Sequence, residues 1–158
     1  MKVYCPALLS GRFFPARCTS KDMPGGMNIS PPIALGDVPP TARSFVLTLV
    51  DENPSVEHFI HWIVINMPAR TRELREKSSG VRDRMPEGSM ELRNSYGDNG
   101  YGGPFLIPGA GLHEYVIRVY ALSEESLEIG PLAQLGDIML QVEGKILDAG
   151  STVGLLQA

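Results

Sequence analysis

A chain of 158 residues with 43% hydrophobic side chains has the size of one domain and enough apolar material for a core, which argues against both a peptide-like and a two-domain organisation. Its formal net charge of −4 excludes a global attraction to nucleic-acid backbones or acidic membranes, so any anion site must be local. Seventeen glycines and thirteen prolines exclude long uninterrupted helices and favour a β-rich fold.

The first residues, Met1 to Arg12, hold one lysine and then meet Pro6, Gly11 and Arg12 before an apolar run develops, which is not the pattern of a secretory signal. No stretch reaches the roughly 20 apolar residues that a spanning helix needs. The expectation is a cytoplasmic protein with a single domain over residues 1–158. Cys5 and Cys18 allow one pairing, but two cysteines make no disulfide framework, and reduced thiols are expected.

Residues 1–43 are punctuated by Pro6, Gly11, Pro15, Pro24, Gly25, Gly26, Pro31, Pro32, Pro39 and Pro40, leaving room only for short extended pieces. Residues 44–51 read as a strand whose period of two puts Phe45, Leu47, Leu49 and Asp51 on one face. After the turn at residues 52–55, the run Phe59 to Asn66 is apolar on both faces and β-branched, as a strand buried on both sides should be. Residues 69–94 hold half of the chain's 14 lysines and arginines among acidic residues. The alternating signs indicate a solvated excursion and not a nucleic-acid stripe. Residues 94–111 form a glycine-rich loop, and loops of that length without their own structure tend to carry function. Residues 113–122 give a third strand with His113, Tyr115, Ile117 and Val119 on one face. Leu132, Leu135, Met139, Val142 and Ile146 recur at spacings of three and four, which predicts an amphipathic helix over 132–148 stopped by Gly150, with a short closing segment over 151–156.

If the candidate strands that hold them are neighbours, a carboxylate (Asp51), two imidazoles (His61 and His113) and a phenol (Tyr115) converge beside the glycine-rich loop. Protonated imidazoles and a phenol donate hydrogen bonds, amides freed by glycine can point at an oxyanion, and Asp51 can orient a histidine or cap the turn that follows it. Two histidines and a carboxylate also make the facial triad of non-haem iron sites. His58 and His61, three apart, fall on opposite faces of a strand, and no His-Glu-x-x-His spacing is present. The chain has no Gly-x-Ser-x-Gly elbow, no Gly-Lys-Ser/Thr phosphate loop and no dinucleotide fingerprint.

Several fragments, in order, resemble the phosphatidylethanolamine-binding protein family, also called the Raf kinase inhibitor protein family, in its short bacterial form. They are Asn28-Ile29-Ser30-Pro31-Pro32, Val38-Pro39-Pro40 with Ser44-Phe45, Asp51-Glu52-Asn53-Pro54, His61 to Ala69, Asn94-Ser95-Tyr96-Gly97, Gly100-Tyr101-Gly102-Gly103-Pro104, and His113-Glu114-Tyr115. The resemblance implies a mainly β fold, an antiparallel β-sandwich with a large central sheet and a few peripheral helices. It further implies a pocket for phosphate-like anions or phospholipid head groups built by Asp51, His61, Gly103, Pro104, His113 and Tyr115. Three segments differ from the family pattern. The turn after Asp51 is shortened and lacks a second aspartate, the rim after Pro104 is the bulkier Phe105-Leu106-Ile107-Pro108, and Glu114 stands where arginine is common and should face away from the pocket. A binding protein without catalysis, cofactor or metal is the expectation, with a homodimer implied by bacterial members. The alternatives are a regulatory module for a protein client such as a kinase, contacted through the charged segment 70–93, and a hydrolase or metal-dependent enzyme using the same pocket.

Overall fold

The computed structural model describes residues 1–158. Eight strands and one helix follow in the order β1 (Lys2–Tyr4), β2 (Ile33–Gly36), β3 (Ser44–Asp51), β4 (Phe59–Pro68), β5 (Glu73–Leu74), β6 (Met90–Glu91), β7 (Leu112–Leu122), α1 (Leu135–Val142) and β8 (Ile146–Gln157). They make a five-stranded sheet ordered β6-β4-β3-β7-β8 and a three-stranded sheet ordered β1-β2-β5, with every pairing antiparallel. The fold is mainly β, as expected.

Every residue of β3 is buried, because the central sheet is covered on both faces. On one face Phe45, Leu47, Leu49, Trp62, Val64, Ile117 and Val119 pack with Val3, Ile33 and Leu74 of the small sheet. On the other, Val46, Ile63 and Ile65 pack with Ile138 and Val142 of α1 and with Leu122 and Leu127. The period of two read from the sequence holds through β3 and β7. Cys5 and Cys18 are unpaired and buried in the first cluster, where burial pushes their thiols up to about 11 and about 12.

The closing third of the chain differs from its sequence pattern. The helix covers only Leu135–Val142 and is followed at once by β8, twelve residues long and paired with β7 along its whole length. Gly144, at φ 75°, makes the turn, while Gly150 lies inside β8. Of the residues spaced as a helical face, Val142 is buried, Leu135 and Met139 are half-buried, Leu132 stays exposed, and Ile146 begins the strand, while Ile138, outside that pattern, is the helix's other buried residue. The strand was hidden because β8 is an edge strand with weak alternation and two glycines. Those glycines are packing devices: a Cβ on Gly150 would press on the Met1 carbonyl, and one on Gly154 would enter the Phe14 ring.

Residues 1–43 contribute only short pieces, and residues 69–94 form two two-residue strands joined by turns. No helix is long and apolar enough to cross a membrane.

Candidate functional site

The four polar side chains meet where β3 ends and β7 begins. Asp51 pairs across the sheet with Tyr115, which leaves His113 one diagonal step away on the same face. There His113 Nδ1 donates to Asp51 Oδ2 at 2.6 Å, with both side chains 4% exposed. The other carboxylate oxygen accepts from the Asn53 backbone N–H at 2.9 Å. Asp51 thus caps its turn and orients His113 together.

His61 reaches this face through a backbone irregularity. Leu49 pairs with Trp62 and Val50 with Ile60, so His61 is an extra residue in β4, a β-bulge. Strict alternation would send His61 to the side of Ile63 and Ile65, under the helix. A bulge lets two consecutive side chains share a face, and His61 accordingly packs on Tyr115 at 5.2 Å between ring centroids while Trp62 joins the same cluster. Tyr115 is the hub: its ring also meets Phe14 at 5.7 Å and lies stacked near His113 at 6.4 Å.

The loop is locked onto this arrangement. His61 Nδ1 donates to the Gly102 carbonyl at 2.6 Å, and the Gly102 N–H donates back to the His61 carbonyl at 2.8 Å. The Gly103 N–H donates to Asn28 Oδ1 at 2.6 Å, its carbonyl accepts from the Tyr96 hydroxyl at 2.8 Å, and the Pro104 carbonyl accepts from Ser20 N–H at 2.9 Å. The amides of Gly102 and Gly103 are therefore committed within the protein, and Pro104 has none. Gly103 and Pro104 therefore offer no N–H group to an anion and instead tie the loop to Asn28, Tyr96 and Ser20. A Cβ on Gly103 would fall 2.7 Å from Ser20 N and 2.8 Å from the Cys18 carbonyl oxygen, so this glycine is needed for close backbone approach.

What remains free is informative. Neither imidazole Nε2 nor the Tyr115 hydroxyl has a hydrogen-bond partner in the chain. The side-chain polar atoms that are both sealed from solvent and unpartnered are Thr71 Oγ1 and Ser78 Oγ alone. The two Nε2 atoms and the phenol are thus not fully sealed from solvent, although His61 and His113 are each 3% exposed and Tyr115 0%.

Burial, opposed by the Gly102 hydrogen bond and the Asp51 charge, lowers the His61 pKa to about 4. Since a carbonyl can only accept, the Nδ1 atom carries the proton and neutral His61 presents a lone pair at Nε2. That is an acceptor where the sequence suggested a donor. Tyr115 is raised above the ordinary phenol value, by burial first and by the Asp51 charge second, so it stays a hydroxyl.

Three residues not assigned to the site from sequence complete it. Phe59 and Tyr96 wall the His61 ring at centroid distances of 4.9 and 5.7 Å, and Asn28 holds Gly103. Asn28 has φ 52°, a conformation that asparagine tolerates, and its place in the Asn28-Ile29-Ser30-Pro31-Pro32 fragment is the sequence signal that could have singled it out. Glu114 is exposed, on the face away from the site. No group of three or more His, Cys, Asp or Glu side chains is placed to hold a metal ion. Two larger hollows, of about 580 and 650 Å³, lie in the charged segment between Pro68 and Glu91 and share no residue with the site.

A family model described as "Phosphatidylethanolamine-binding protein" matches residues 6–157. A UPF0098 protein of Aquifex aeolicus is 38% identical over 155 residues, covering 98% of this chain and 87% of that one. A UPF0098 protein of Methanothermobacter thermautotrophicus is 35% identical over 130 residues, covering 82% and 83%. Among solved structures, Escherichia coli YbcL, described as a new member of the mammalian PEBP family, superposes with a TM-score of 0.89 over 99% of this chain and 98% of its own at 23% identity, a likeness of fold. CT736 of Chlamydia trachomatis, described as a putative phosphatidylethanolamine-binding protein homolog, superposes with a TM-score of 0.82 over 99% and 97% at 26% identity.

Proposed function

Because the chain belongs to the phosphatidylethanolamine-binding protein family, we propose that it is a binding protein whose Asp51, His61, His113 and Tyr115 receive a phosphate-like anion or phosphorylated head group. The observation that carries this reading is the set of three polar atoms, two Nε2 and one hydroxyl, left without partners in an otherwise buried constellation. Polar groups in such surroundings are nearly always paired, so unpaired ones call for a ligand or water. At His113 the Asp51 carboxylate, 2.6 Å away, fixes the ring through Nδ1 and leaves Nε2 as the atom free for a ligand. Tyr115 donates its hydroxyl.

The same chemistry favours binding over catalysis. Both cysteine thiols are buried and held well above the range in which a thiolate forms, which removes them as nucleophiles. Both imidazoles lie against the Tyr115 ring, and no serine or threonine hydroxyl is hydrogen-bonded to either.

Calorimetric titration tests the reading. Inorganic phosphate and phosphoethanolamine are expected to bind one per chain while glycerol does not, and His113→Ala is expected to weaken both anions at least ~10-fold, as loss of a charge-assisted hydrogen bond should. Equal heats for phosphate and glycerol, or unchanged anion affinity in the variant, would remove the basis of this function.

A further inference from the structure

The charged segment alternates in sign along the chain but sorts its charges in space. The hollow of about 580 Å³ is lined by four arginines, Arg70, Arg72, Arg75 and Arg84, in a chain whose net charge is −4. The adjoining hollow of about 650 Å³ holds one arginine, Arg82, against Asp83, Glu87 and Glu91. Pro68, the last residue of β4, lines the first hollow, whereas His61 lies near the start of that strand, about 20 Å away along an extended chain. Little inside the protein occupies the guanidiniums. Arg70 meets Glu87 at 3.5 Å and Arg75 meets Glu73 at 3.6 Å, with all four side chains 64–91% exposed, and pairs so long and so wet hold almost nothing in place. Arg84 reaches only the Glu76 carbonyl, at 3.4 Å. Arg72 differs: its Nη1 donates to the Ala69 and Thr71 carbonyls, both at 2.8 Å, which anchors the guanidinium and leaves Nε and Nη2 without partners. Thr71 lines the same hollow, is 7% exposed, and has a hydroxyl that pairs with nothing in the chain. Buried hydroxyls are nearly always paired, so this one marks a wall that a ligand oxygen would complete.

We propose that this arginine-lined hollow is a second binding site, for a small polyanion with two or more neighbouring carboxylate or phosphoryl groups, and that it works independently of the pocket at His61 and His113. Guanidinium forks match the oxygens of both groups and stay charged at any physiological pH. More than one negative charge is required because Glu87 and Glu73 already stand against Arg70 and Arg75. A lone carboxylate or phosphate would only exchange one such contact for another, whereas a polyanion displaces both with a single molecule. Asp83 lines the hollow without making an ion pair, so it repels any such guest and its neutralisation should tighten binding.

Pyrophosphate and citrate represent the two sources of that chemistry, and calorimetry of the whole protein at neutral pH and low salt tests both. At least one should bind in a way that Arg70→Gln and Arg72→Gln each weaken at least ~10-fold, as loss of a hydrogen bond to a charged group should. Asp83→Asn should strengthen the same binding by ~3-fold, and the tighter of the two probes identifies the source. Arg70→Gln gives up only a 3.5 Å exposed pair, so it carries the test even if Arg72→Gln, which loses two carbonyl contacts, fails to fold. Inorganic phosphate binding should be unchanged in Arg70→Gln, and pyrophosphate or citrate binding at the arginines unchanged in His113→Ala, which separates this site from the pocket. In nitrogen-15 spectra the Nε–H signals of Arg70, Arg72, Arg75 and Arg84 should shift with the bound probe while that of Arg43, paired with Glu125 elsewhere, stays. Binding of neither probe, or binding that is indifferent to both arginine substitutions, would overturn the proposal and leave the pocket at His61 and His113 standing.

Discussion

Asp51→Ala is expected to destabilise the fold by about 3 kcal/mol and to weaken anion binding at least ~10-fold, the largest joint effect of any change in the site. Its carboxylate, 4% exposed, serves two buried donors from separate oxygens, His113 Nδ1 at 2.6 Å and the Asn53 N–H at 2.9 Å. Alanine leaves both without a partner and frees the His113 ring to rotate away from the opening. Urea unfolding of the wild type and variant measures the first effect, and phosphate titration the second. Asp51→Asn is the sharper comparison, since one amide oxygen cannot serve both donors with full charge, and it should fall between the two. A loss below ~1 kcal/mol for alanine would mean that the pair contributes nothing net to the fold.

Acid should destabilise the protein through His61. Its folded pKa is lowered to about 4 from the ordinary imidazole value of 6.5, so the unfolded chain binds the proton more readily throughout that interval. The stabilising contribution is complete above pH 6.5, is lost as pH falls towards 4, and does not decline further below it. A lowering of this size corresponds to about 3 kcal/mol, spread over that window. His61→Gln removes the titrating group, so its unfolding free energy should change by correspondingly less than the wild type's between pH 7 and pH 4. Parallel profiles for the two proteins would show that His61 is not held neutral by burial.

The strands that build the site were legible because their side chains alternate cleanly. Phe45, Leu47, Leu49 and Asp51 share a face, as do His113, Tyr115, Ile117 and Val119, and both sets meet in one cluster or at its rim. His61 lies against Tyr115 for a reason that no periodicity shows, since only the bulge opposite Leu49 and Val50 of the partner strand turns it that way. Its hydrogen-bonding role was not legible either. That role depends on the Gly102 carbonyl, 41 residues away in sequence, and loop contacts of this kind leave no local pattern.

The glycine-rich loop illustrates the same limit. Its composition marked it as special, and freed amides were a reasonable expectation, yet Gly102 and Gly103 spend theirs on His61 and Asn28. Their value is the absence of a Cβ: on Gly102 it would strike the Tyr96 ring, and on Gly103 the backbone of residues 18–20. The misread stretch from 143 onwards has the opposite cause. An edge strand whose neighbours need glycine at two positions loses the alternation by which strands are recognised, while Leu140 and Leu147, both exposed, kept an apolar tally compatible with a helix.

The chain has three histidines, and that makes the central claim directly observable. His61 and His113 lie in the site, whereas His58 is 73% exposed in its side chain and pairs with Glu52 at 3.1 Å outside it. Nitrogen-15 spectra of the imidazole rings, assigned by single substitutions, should be followed while inorganic phosphate is added at pH 6. The account predicts saturable, concerted shifts of the His61 and His113 Nε2 signals with His58 unmoved; shifts confined to His58, or none at all, would contradict it.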